Sequence, residues 1–316
     1  MELTTIAEFK AGEPIRGFFL CREKWIRRTR IGDPYLNLLL QDRSGFIEAK
    51  LWDRLPEFRD RFEAGDPLAI KGTPAEYNGE LQLTVTQLNK ATAARYGRYG
   101  FDPEALIPEA EIPPEELFRE LLKLTDHIQD SNLAHLLQSI FTHYQKTIEF
   151  LPGSLDKHHP VRGGWLQHVV DSGKLALAVA KIYSALDPDL LLAGILLHDI
   201  GKVKSVATGL QNSHSDSGLL VGHPILGRDI LREFAAQADN LSEVTLSKLE
   251  HIILAHQHTP QRGSAVTPKF PEALAVAYLD ELDGRLDLMR RIIAADQQNQ
   301  EWTDDRHYFH RQLWKK

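Results

Sequence analysis

The chain has 316 residues, with 26% charged and 42% hydrophobic side chains and a net charge of −7. These fractions are those of an ordinary globular protein, and the length is enough for two domains. No apolar run approaches the roughly 20 residues needed to cross a bilayer, and the first residues lack the pattern of a signal peptide. Cys21 is the only cysteine, which excludes an internal disulfide and a cysteine-based zinc site. We therefore expect a cytoplasmic protein with no membrane partner.

Charge and histidine are unevenly distributed along the chain. Residues 1–92 carry 14 basic and 14 acidic side chains, whereas the remainder carries 23 basic and 30 acidic ones. Nine of the 14 histidines lie between positions 158 and 258. Imidazole is the commonest metal-binding side chain, so this density favours a metal site in the second part of the chain.

The pattern of residues 1–92 predicts a small β-barrel. Short runs rich in aliphatic and aromatic residues alternate with turn signals, and Asn78 with the glycine after it predicts a tight hairpin. A helical segment at Leu55–Phe62 separates the third and fourth runs. Five strands interrupted in this way indicate an all-β barrel of the OB type. The predicted strands are Ile15–Cys21, Tyr35–Gln41, Phe46–Trp52, Pro67–Gly72 and Leu81–Leu88.

A basic run with one tryptophan lies between the first two predicted strands. OB folds bind oligonucleotides through this face and this loop. Basic groups neutralise phosphates, and an aromatic ring offers a stacking surface for a base. The run therefore predicts a nucleic-acid contact, with a solvated turn as the alternative. The candidate residues are Arg22, Lys24, Trp25, Arg27, Arg28 and Arg30.

The pattern changes after the barrel. Residues 93–114 predict a linker, and residues 115–303 show the apolar spacing of an all-helical domain. Residues 304–316 form a polar tail to which the pattern assigns no structure. The predicted later helices are Trp165–Tyr183, Leu190–His198, His223–Ala238, Ser247–His256 and Pro271–Arg291.

The most informative stretch is a histidine-aspartate pair at the end of an apolar helix. Leu190–Leu197 contains no charge and predicts a helix buried on all sides, and His198 and Asp199 follow it directly. Burying such a pair is costly unless something compensates it. A divalent metal ion that takes both groups as ligands is one compensation, and a structural hydrogen bond is the other.

Similar polar groups adjoin buried segments on successive helices. Core packing gives no reason to place an imidazole or a carboxylate at the inner end of each helix, whereas a metal site built from facing helices does. Four imidazoles and two carboxylates exceed the needs of one tetrahedral ion, which indicates two ions or an open coordination position. The six candidate ligands are His168, His198, Asp199, His223, His256 and Asp280.

This order of histidines and aspartates resembles the HD-domain metal-dependent phosphohydrolases. The sequence motifs around these residues resemble more closely the YhaM-type bacterial 3′→5′ exoribonucleases, which join an N-terminal OB fold to a C-terminal HD domain. The resemblance implies an OB barrel over residues 1–92 and an HD phosphohydrolase domain over residues 115–303. It rests on His158–Gly164, Gln167–Val169, Leu192–Lys202, Leu220–His223 and Asp280–Asp283.

By this resemblance the six candidates are metal ligands, with Asp199 as the bridge between two ions. The segment Ala255–His258 departs from relatives that often carry two adjacent histidines here. For this reason His251 and His258 remain alternatives to His256 as a ligand.

A second set of residues is expected at the reaction centre with Asp199. His159, Arg162 and Lys202 are candidates for holding phosphate, because lysine acts as a point charge and arginine as a bidentate clamp. For Arg162 the alternative is an ordinary salt bridge in a loop. Asp283, one helical turn beyond a candidate ligand, either orients that ligand or is solvated.

The combined expectation is a metal-dependent phosphodiesterase that shortens single-stranded RNA, or DNA, from the 3′ end and releases nucleoside 5′-monophosphates. Its cofactors would be two divalent ions, with manganese favoured over iron, cobalt, zinc and magnesium. One alternative is an HD hydrolase of free nucleotides or cyclic dinucleotides, whose barrel serves a homo-oligomer. Another is a single-strand-binding adaptor without catalysis.

Overall fold

The computed structural model describes residues 3–53, 55–77, 79–238, 241–259, 263–296 and 300–316. An N-terminal closed β-barrel is followed by a helical domain, which confirms the predicted fold class. The strands of the barrel are β1 (Ile15–Arg28), β2 (Pro34–Asp42), β3 (Gly45–Leu51), β4 (Pro67–Tyr77) and β5 (Glu80–Lys90).

The barrel closes in the order β1-β2-β3-β5-β4, with a parallel pairing between β3 and β5 and antiparallel pairings elsewhere. Tyr77 pairs with Glu80 at the end of the β4–β5 hairpin, as predicted, although Asn78 itself lies outside the described residues. Helix α1 (Leu55–Phe58) is shorter than the predicted segment. The carbonyls of Arg59 and Phe62, just beyond it, instead accept hydrogen bonds from a lysine of β1.

Alternation along the strands builds the barrel core. On β1, Ile15 and Phe19 are buried while Arg16 between them is exposed, because successive side chains point to opposite faces of a sheet. Leu36 and Leu38 of β2 are fully buried against them. Full burial of one such side chain stabilises the fold by about 1.5–3 kcal/mol, so a few of them suffice to fix the register.

Strand β1 is longer than predicted, and the basic run is not a loop. It pairs with β2 as far as Arg28 opposite Pro34, after a β-bulge between Cys21 and Glu23. The connection between the strands is only residues 29–33. The prediction was wrong because β2, with its alternating apolar side chains, continues to pair with β1 along the segment in which β1 carries charges.

The predicted linker packs against the barrel. It contains helix α2 (Ala93–Tyr96) and two short 3-10 turns, at Gly97–Tyr99 and Glu104–Leu106. Phe101 and Leu106 are buried in a small cluster with Leu20 of β1. This segment therefore covers part of the outer face of the barrel.

The helical domain surrounds one fully buried helix, which forms as the sequence predicts. Every residue of Leu190–Leu197 is buried, and the Asp187 side chain caps this helix by accepting hydrogen bonds from the backbone of Asp189 and Leu190. A two-stranded hairpin of β6 (Val206–Ala207) and β7 (Ser213–His214) interrupts the helices. Among the described residues, no helix is long and apolar enough to cross a membrane. The helices are α3 (Pro114–Thr125), α4 (Ser131–Ile148), α5 (Gly164–Ile182), α6 (Pro188–Leu197), α7 (Lys202–Ser205), α8 (Asp216–Leu220), α9 (His223–Ala235), α10 (Glu243–Ala255) and α11 (Pro271–Ala295).

The C-terminal tail has a defined path. Trp302 pairs with Trp314 across a turn, and the buried Leu313 donates its backbone N–H to the Thr303 hydroxyl. Lys315 anchors the segment to Asp296 after α11, at 2.9 Å. This segment has neither strand nor helix periodicity, so the sequence pattern predicts no structure for it.

Candidate metal centre and nucleic-acid interface

The six predicted ligands converge at one place in the helical domain. Each comes from the end or the inner face of a buried segment. Their donor atoms form two groups of three, and within each group the atoms lie within 4.8 Å of one another. The first group is His168, His198 and Asp280, and the second is Asp199, His223 and His256.

The spacing within the first group fits a metal ion. His168 Nε2 lies 3.2 Å from His198 Nε2 and 3.3 Å from Asp280 Oδ1. His198 Nε2 lies 3.7 Å from the same oxygen. Ligand atoms about 2.1 Å from a tetrahedral ion are separated by roughly 3.4 Å. A metal ion between the three donor atoms would therefore lie at ligand distance from each of them, with only small movements of the side chains.

The second group has the same spacing and shares its carboxylate with the first. Asp199 Oδ1 lies 3.3 Å from His223 Nε2 and 3.5 Å from His256 Nε2, and the two nitrogens are 3.4 Å apart. The other oxygen of Asp199, Oδ2, lies 3.5 Å from His198 Nε2. One carboxylate thus presents one oxygen to each group, which is the arrangement of a bridging ligand.

The other ring nitrogen of each buried imidazole fixes its orientation. His198 Nδ1 is 2.6 Å from the Ile195 carbonyl, and His256 Nδ1 is 2.7 Å from the Ile253 carbonyl. These carbonyls lie in last helical turns, where backbone acceptors lack an intrahelical partner. An Nδ1–H donated to them leaves the Nε2 lone pair for a metal ion. The position of the histidine just after its helix therefore selects the tautomer.

Asp283 orients the histidine of α5 in the same way. Its Oδ2 is 2.7 Å from His168 Nδ1 and 3.0 Å from His159 Nε2. Burial opposes protonation of His168, but hydrogen bonds and charges from Asp280 and Asp283 outweigh burial and raise its pKa to about 10. A metal ion at Nε2 would displace that proton, because an imidazole binds metal in its neutral form.

The cluster combines ionised carboxylates with imidazoles in two states: His223 and His256 are held neutral, whereas His168 keeps its proton until a cation replaces it. Burial would raise the pKa of Asp199, but positive charge at Lys202 and the surrounding histidines hold it well below its ordinary value. Burial lowers the pKa of His223 to about 3, even though Asp199 is near. A buried set of this kind is unfavourable unless a cation compensates the carboxylates.

His256 is the histidine of its segment that reaches the cluster. His251 Nε2 instead accepts a hydrogen bond from the Lys269 backbone N–H, at 3.1 Å. His258 lies 3.2 Å from Glu281. His251 therefore belongs to neither donor group, and His258 lines the cavity beside His256 without joining either group.

Sequence reasoning missed His158. Its ring is 5.0 Å from the ring of His168, and its donor atom groups with those of His168 and Asp199. The buried Nε2 has no hydrogen-bond partner among the described residues. Burial, with His168 and Lys202 nearby, lowers the pKa of His158 to about 2, so the ring is neutral. The His-His pair was visible in the sequence, but nothing in it shows which ring points inward.

His159 contacts Asp283 and lines a separate cavity of about 410 Å³, not the one that opens beside His256 and Asp280. Besides its contact with Asp283, its backbone N–H donates to Asp287 Oδ2, at 2.7 Å. Its left-handed backbone (φ 42°) turns the chain at this point. In these contacts His159 is a support for Asp283 and, through it, for His168.

The two predicted cations differ in their surroundings. The Lys202 ammonium donates to the Asp199 carboxylate and to the Gly153 carbonyl, so it lies at the cluster. Arg162 lies 2.8 Å from Glu104 of the linker, and its guanidinium stacks 3.8 Å from the Phe150 ring centroid. These contacts correspond to the salt-bridge alternative for Arg162.

A cavity of about 350 Å³ opens onto the cluster, so a solute can reach it. The predicted ligands His256 and Asp280 line it together with His158. Arg285 of α11 and Tyr308 of the tail form other parts of its wall. The C-terminal segment therefore contributes to the site.

On the barrel, the predicted nucleic-acid residues divide into two kinds. Lys24 is largely buried, and its ammonium holds the backbone carbonyls after α1. Arg22 donates to the Gln41 side chain at 3.1 Å. The others lie on the exposed part of β1 and the following turn: Trp25, Arg27, Arg28 and Arg30. The first two of these also pair with each other, because the Arg27 guanidinium lies 5.5 Å from the Trp25 ring.

Two family models match this chain, one in each domain. Residues 165–285 match the HD domain, and residues 23–91 match the OB-fold nucleic acid binding domain. The chain therefore joins an OB-fold domain to an HD domain, which is the domain of metal-dependent phosphohydrolases. This combination of domains supports a nucleic-acid-related, metal-dependent hydrolase.

Solved structures similar to this chain include single-strand-binding and synthetase proteins. The second OB-fold domain of replication protein A from Methanococcus maripaludis is 19% identical, with a TM-score of 0.24, over 28% of this chain and 94% of that chain. A replication protein A heterotrimer bound to ssDNA is 11% identical, with a TM-score of 0.23, over 31% and 77%. Asparaginyl-tRNA synthetase from Entamoeba histolytica is 15% identical, with a TM-score of 0.24, over 47% and 36%.

Proposed function

We propose that the protein is a metal-dependent 3′→5′ exonuclease that acts on single-stranded RNA and releases nucleoside 5′-monophosphates. The observation that carries this proposal is the pair of donor groups that share Asp199 beneath an open cavity. The resemblance to YhaM-type exoribonucleases supports the choice of substrate and polarity.

The cofactors in this proposal are two divalent ions, with manganese favoured. His168, His198 and Asp280 would hold one ion, and His223 and His256 the other, with Asp199 between them. His158, which groups with His168 and Asp199, would be a further ligand beside the first ion. Mixed imidazole and carboxylate ligands suit manganese, iron and cobalt. When bound, such ions lower the pKa of water and supply a nucleophile near neutral pH.

The residues around the ligands would hold the scissile phosphate. Lys202 contacts Asp199, and this supports a role in which its ammonium would stabilise negative charge that develops on the phosphoryl oxygens. Arg285, which lines the cavity, is a second cation for the strand backbone. Both arginines make an ion pair, Arg285 with Glu281 and Arg162 with Glu104. We assign this role to Arg285 because it lines the cavity, whereas Arg162 stacks on Phe150 away from it.

His159 and Asp283 would act as positioning residues. Their hydrogen-bonded chain to His168 Nδ1 holds that ring at a fixed angle to the first group. Outer contacts of this kind typically change metal affinity by about 10- to 100-fold when they are removed.

The barrel would hold the upstream part of the strand. Arg27, Arg28 and Arg30 provide exposed positive charge, and Trp25 provides a ring on which a base can stack. Binding at two linked places raises the affinity for a long strand above that for a mononucleotide.

The test uses manganese-loaded protein with RNA and DNA 20-mers labelled at either end. We expect a 5′-labelled RNA to shorten progressively and a 3′-labelled RNA to release labelled mononucleotide at once. Internal cuts in a circular strand would refute the exonuclease, and mononucleotide release from the 5′ end would reverse its polarity. Equal rates on strands of all lengths would support a nucleotide hydrolase, and binding without turnover would support an adaptor.

A further inference from the structure

A second groove lies on the outer face of the barrel, beside the segment that follows β5. It has a volume of about 520 Å³, within the range of small-molecule sites. We call it the outer groove, and its polar and aromatic lining is formed chiefly by Arg16, Phe18, Lys71, Gln87, Asn89 and Tyr99.

Strand register places these side chains in two rows across β1, β4 and β5. Arg16 pairs with Lys71, which pairs in turn with Gln87. The neighbouring row joins Phe18 to Ala69 and Ala69 to Asn89. Residues two apart on a strand share a face, so both rows point outward from the barrel. The small side chain at the centre of the second row leaves room above the sheet.

The first row sets two positive charges directly opposite each other. Like charges in this position destabilise a sheet. Within the described residues, the side chains of Arg16 and Lys71 make no hydrogen bond or ion pair, and no carboxylate lines the groove. Arg98 brings a third cation to the wall. This arrangement is explained if an anion lies between the two cross-strand cations.

The opposite wall is aromatic. Tyr96 meets the Phe18 ring edge to face at 5.8 Å, which fixes the turn that carries Tyr99. Tyr99 is 57% exposed, and the Arg98 guanidinium lies 4.7 Å from its ring centroid. An exposed ring backed by a cation is a stacking surface that any base can use.

We infer that the outer groove binds one nucleotide unit of a single-stranded nucleic acid. Arg16 and Lys71 would contact its phosphate, Tyr99 its base, and the amides of Gln87 and Asn89 the edge of that base. This inference takes its ligand class from the proposed function, but it concerns a face different from the exposed residues near the end of β1. A free mononucleotide has the same chemistry and is separated from a strand by the test.

The location gives the inference a length dependence. Arg16 and Arg28 lie near opposite ends of β1, at most about 40 Å apart for a strand that rises 3.3 Å per residue. A short oligonucleotide therefore occupies one place or the other, whereas a 20-mer is long enough to reach both.

The test compares the full-length protein with the double variant Arg16→Ala and Lys71→Ala, using fluorescence anisotropy. The probe is a labelled 20-mer RNA with phosphorothioate linkages, which keep the charge and resist cleavage. Because the variant neutralises one fewer phosphate, its log-log salt slope should be smaller by about 0.7. Tyr99→Ala should weaken binding with the slope unchanged. A matched control removes Lys10 and Arg43, which are exposed on the barrel outside this groove.

The charge-conserving pair Arg16→Lys and Lys71→Arg should retain the slope, which separates loss of charge from loss of folding. An unchanged slope in the alanine variant, or an equal change in the control, would overturn the inference. Saturable binding of a mononucleotide that is abolished in the alanine variant, without a change for the 20-mer, would assign the groove to free nucleotide instead. Because no arm measures cleavage, absence of nuclease activity would defeat the proposed function and leave this result standing.

Discussion

The two domains differ in where their charged and other polar side chains lie. In the helical domain, imidazoles and carboxylates such as His198 and Asp199 are buried, and backbone carbonyls or second carboxylates fix their orientation. In the barrel, the main core cluster is apolar, and most cations other than Arg22 and Lys24 lie on the exposed outer face or at the strand ends. A reaction centre needs donors that do not move, whereas a surface that binds a flexible strand needs charge and rings that solvent can reach. Variants should therefore separate chemistry from binding by domain.

Of the variants that test this difference between the domains, Asp199→Ala should have the largest effect. A carboxylate that faces both donor groups cannot be replaced by water without loss of both sites, so hydrolysis should fall by at least about a thousandfold. Metal content, measured by mass spectrometry after dialysis, should fall with it, while single-strand binding is retained. The exposed Asp305→Ala is the matched control. Near-normal turnover with full metal occupancy would contradict the ligand assignment.

A second variant tests His158, the candidate ligand that the sequence did not reveal. His158→Ala should weaken binding of the first metal ion by about tenfold or more, because other ligands remain but one donor is removed. The visible spectrum of the cobalt-substituted protein should change, since the band intensities report coordination number. His214→Ala, at an exposed histidine, should change neither. An unchanged spectrum would show that His158 only fills space.

Variants in the barrel should impair strand binding and leave the chemistry unchanged. Replacing Arg27, Arg28 and Arg30 with alanine should weaken strand binding and lower the log-log salt slope by about 0.7 for each phosphate that is no longer neutralised. Cleavage of a dinucleotide should be unchanged, because it does not reach the barrel. Exposed cations of α3, Arg119 and Lys123, provide the control. An unaltered slope would make the run only a solvated strand end.

The helical site was predictable because its signal is local. Each of the six candidate ligands lies within or beside a segment whose apolar spacing already predicts a buried helix, so its approximate position follows from the pattern. His158 lies in an irregular loop, and its direction depends on contacts such as Gly153 N–H with the His159 carbonyl, at 2.8 Å. No periodicity encodes such a contact.

The barrel shows the same limit for strands. The charges between Arg22 and Arg28 hide the strand signal in β1, and only the partner strand reveals that pairing continues. The outer groove depends on register across three strands that are distant in sequence, with Arg16 opposite Lys71. Sequence patterns give the existence of strands more readily than their pairing, so this surface was not foreseen.

The smallest expected effect concerns the contact between the linker and the helical domain. Arg162→Ala removes an ion pair with a partly exposed Glu104 and the stacking on Phe150. Partly exposed pairs are screened by solvent, so the loss in the free energy of unfolding should be about 1 kcal/mol or less. If the guanidinium has only this structural role, the melting temperature falls slightly and kcat/KM on a dinucleotide stays within about twofold. A large loss of kcat/KM at an unchanged melting temperature would instead return Arg162 to the phosphate-holding set. Glu104→Gln, which weakens the same pair from the linker side, should then leave activity intact while Arg162→Ala does not.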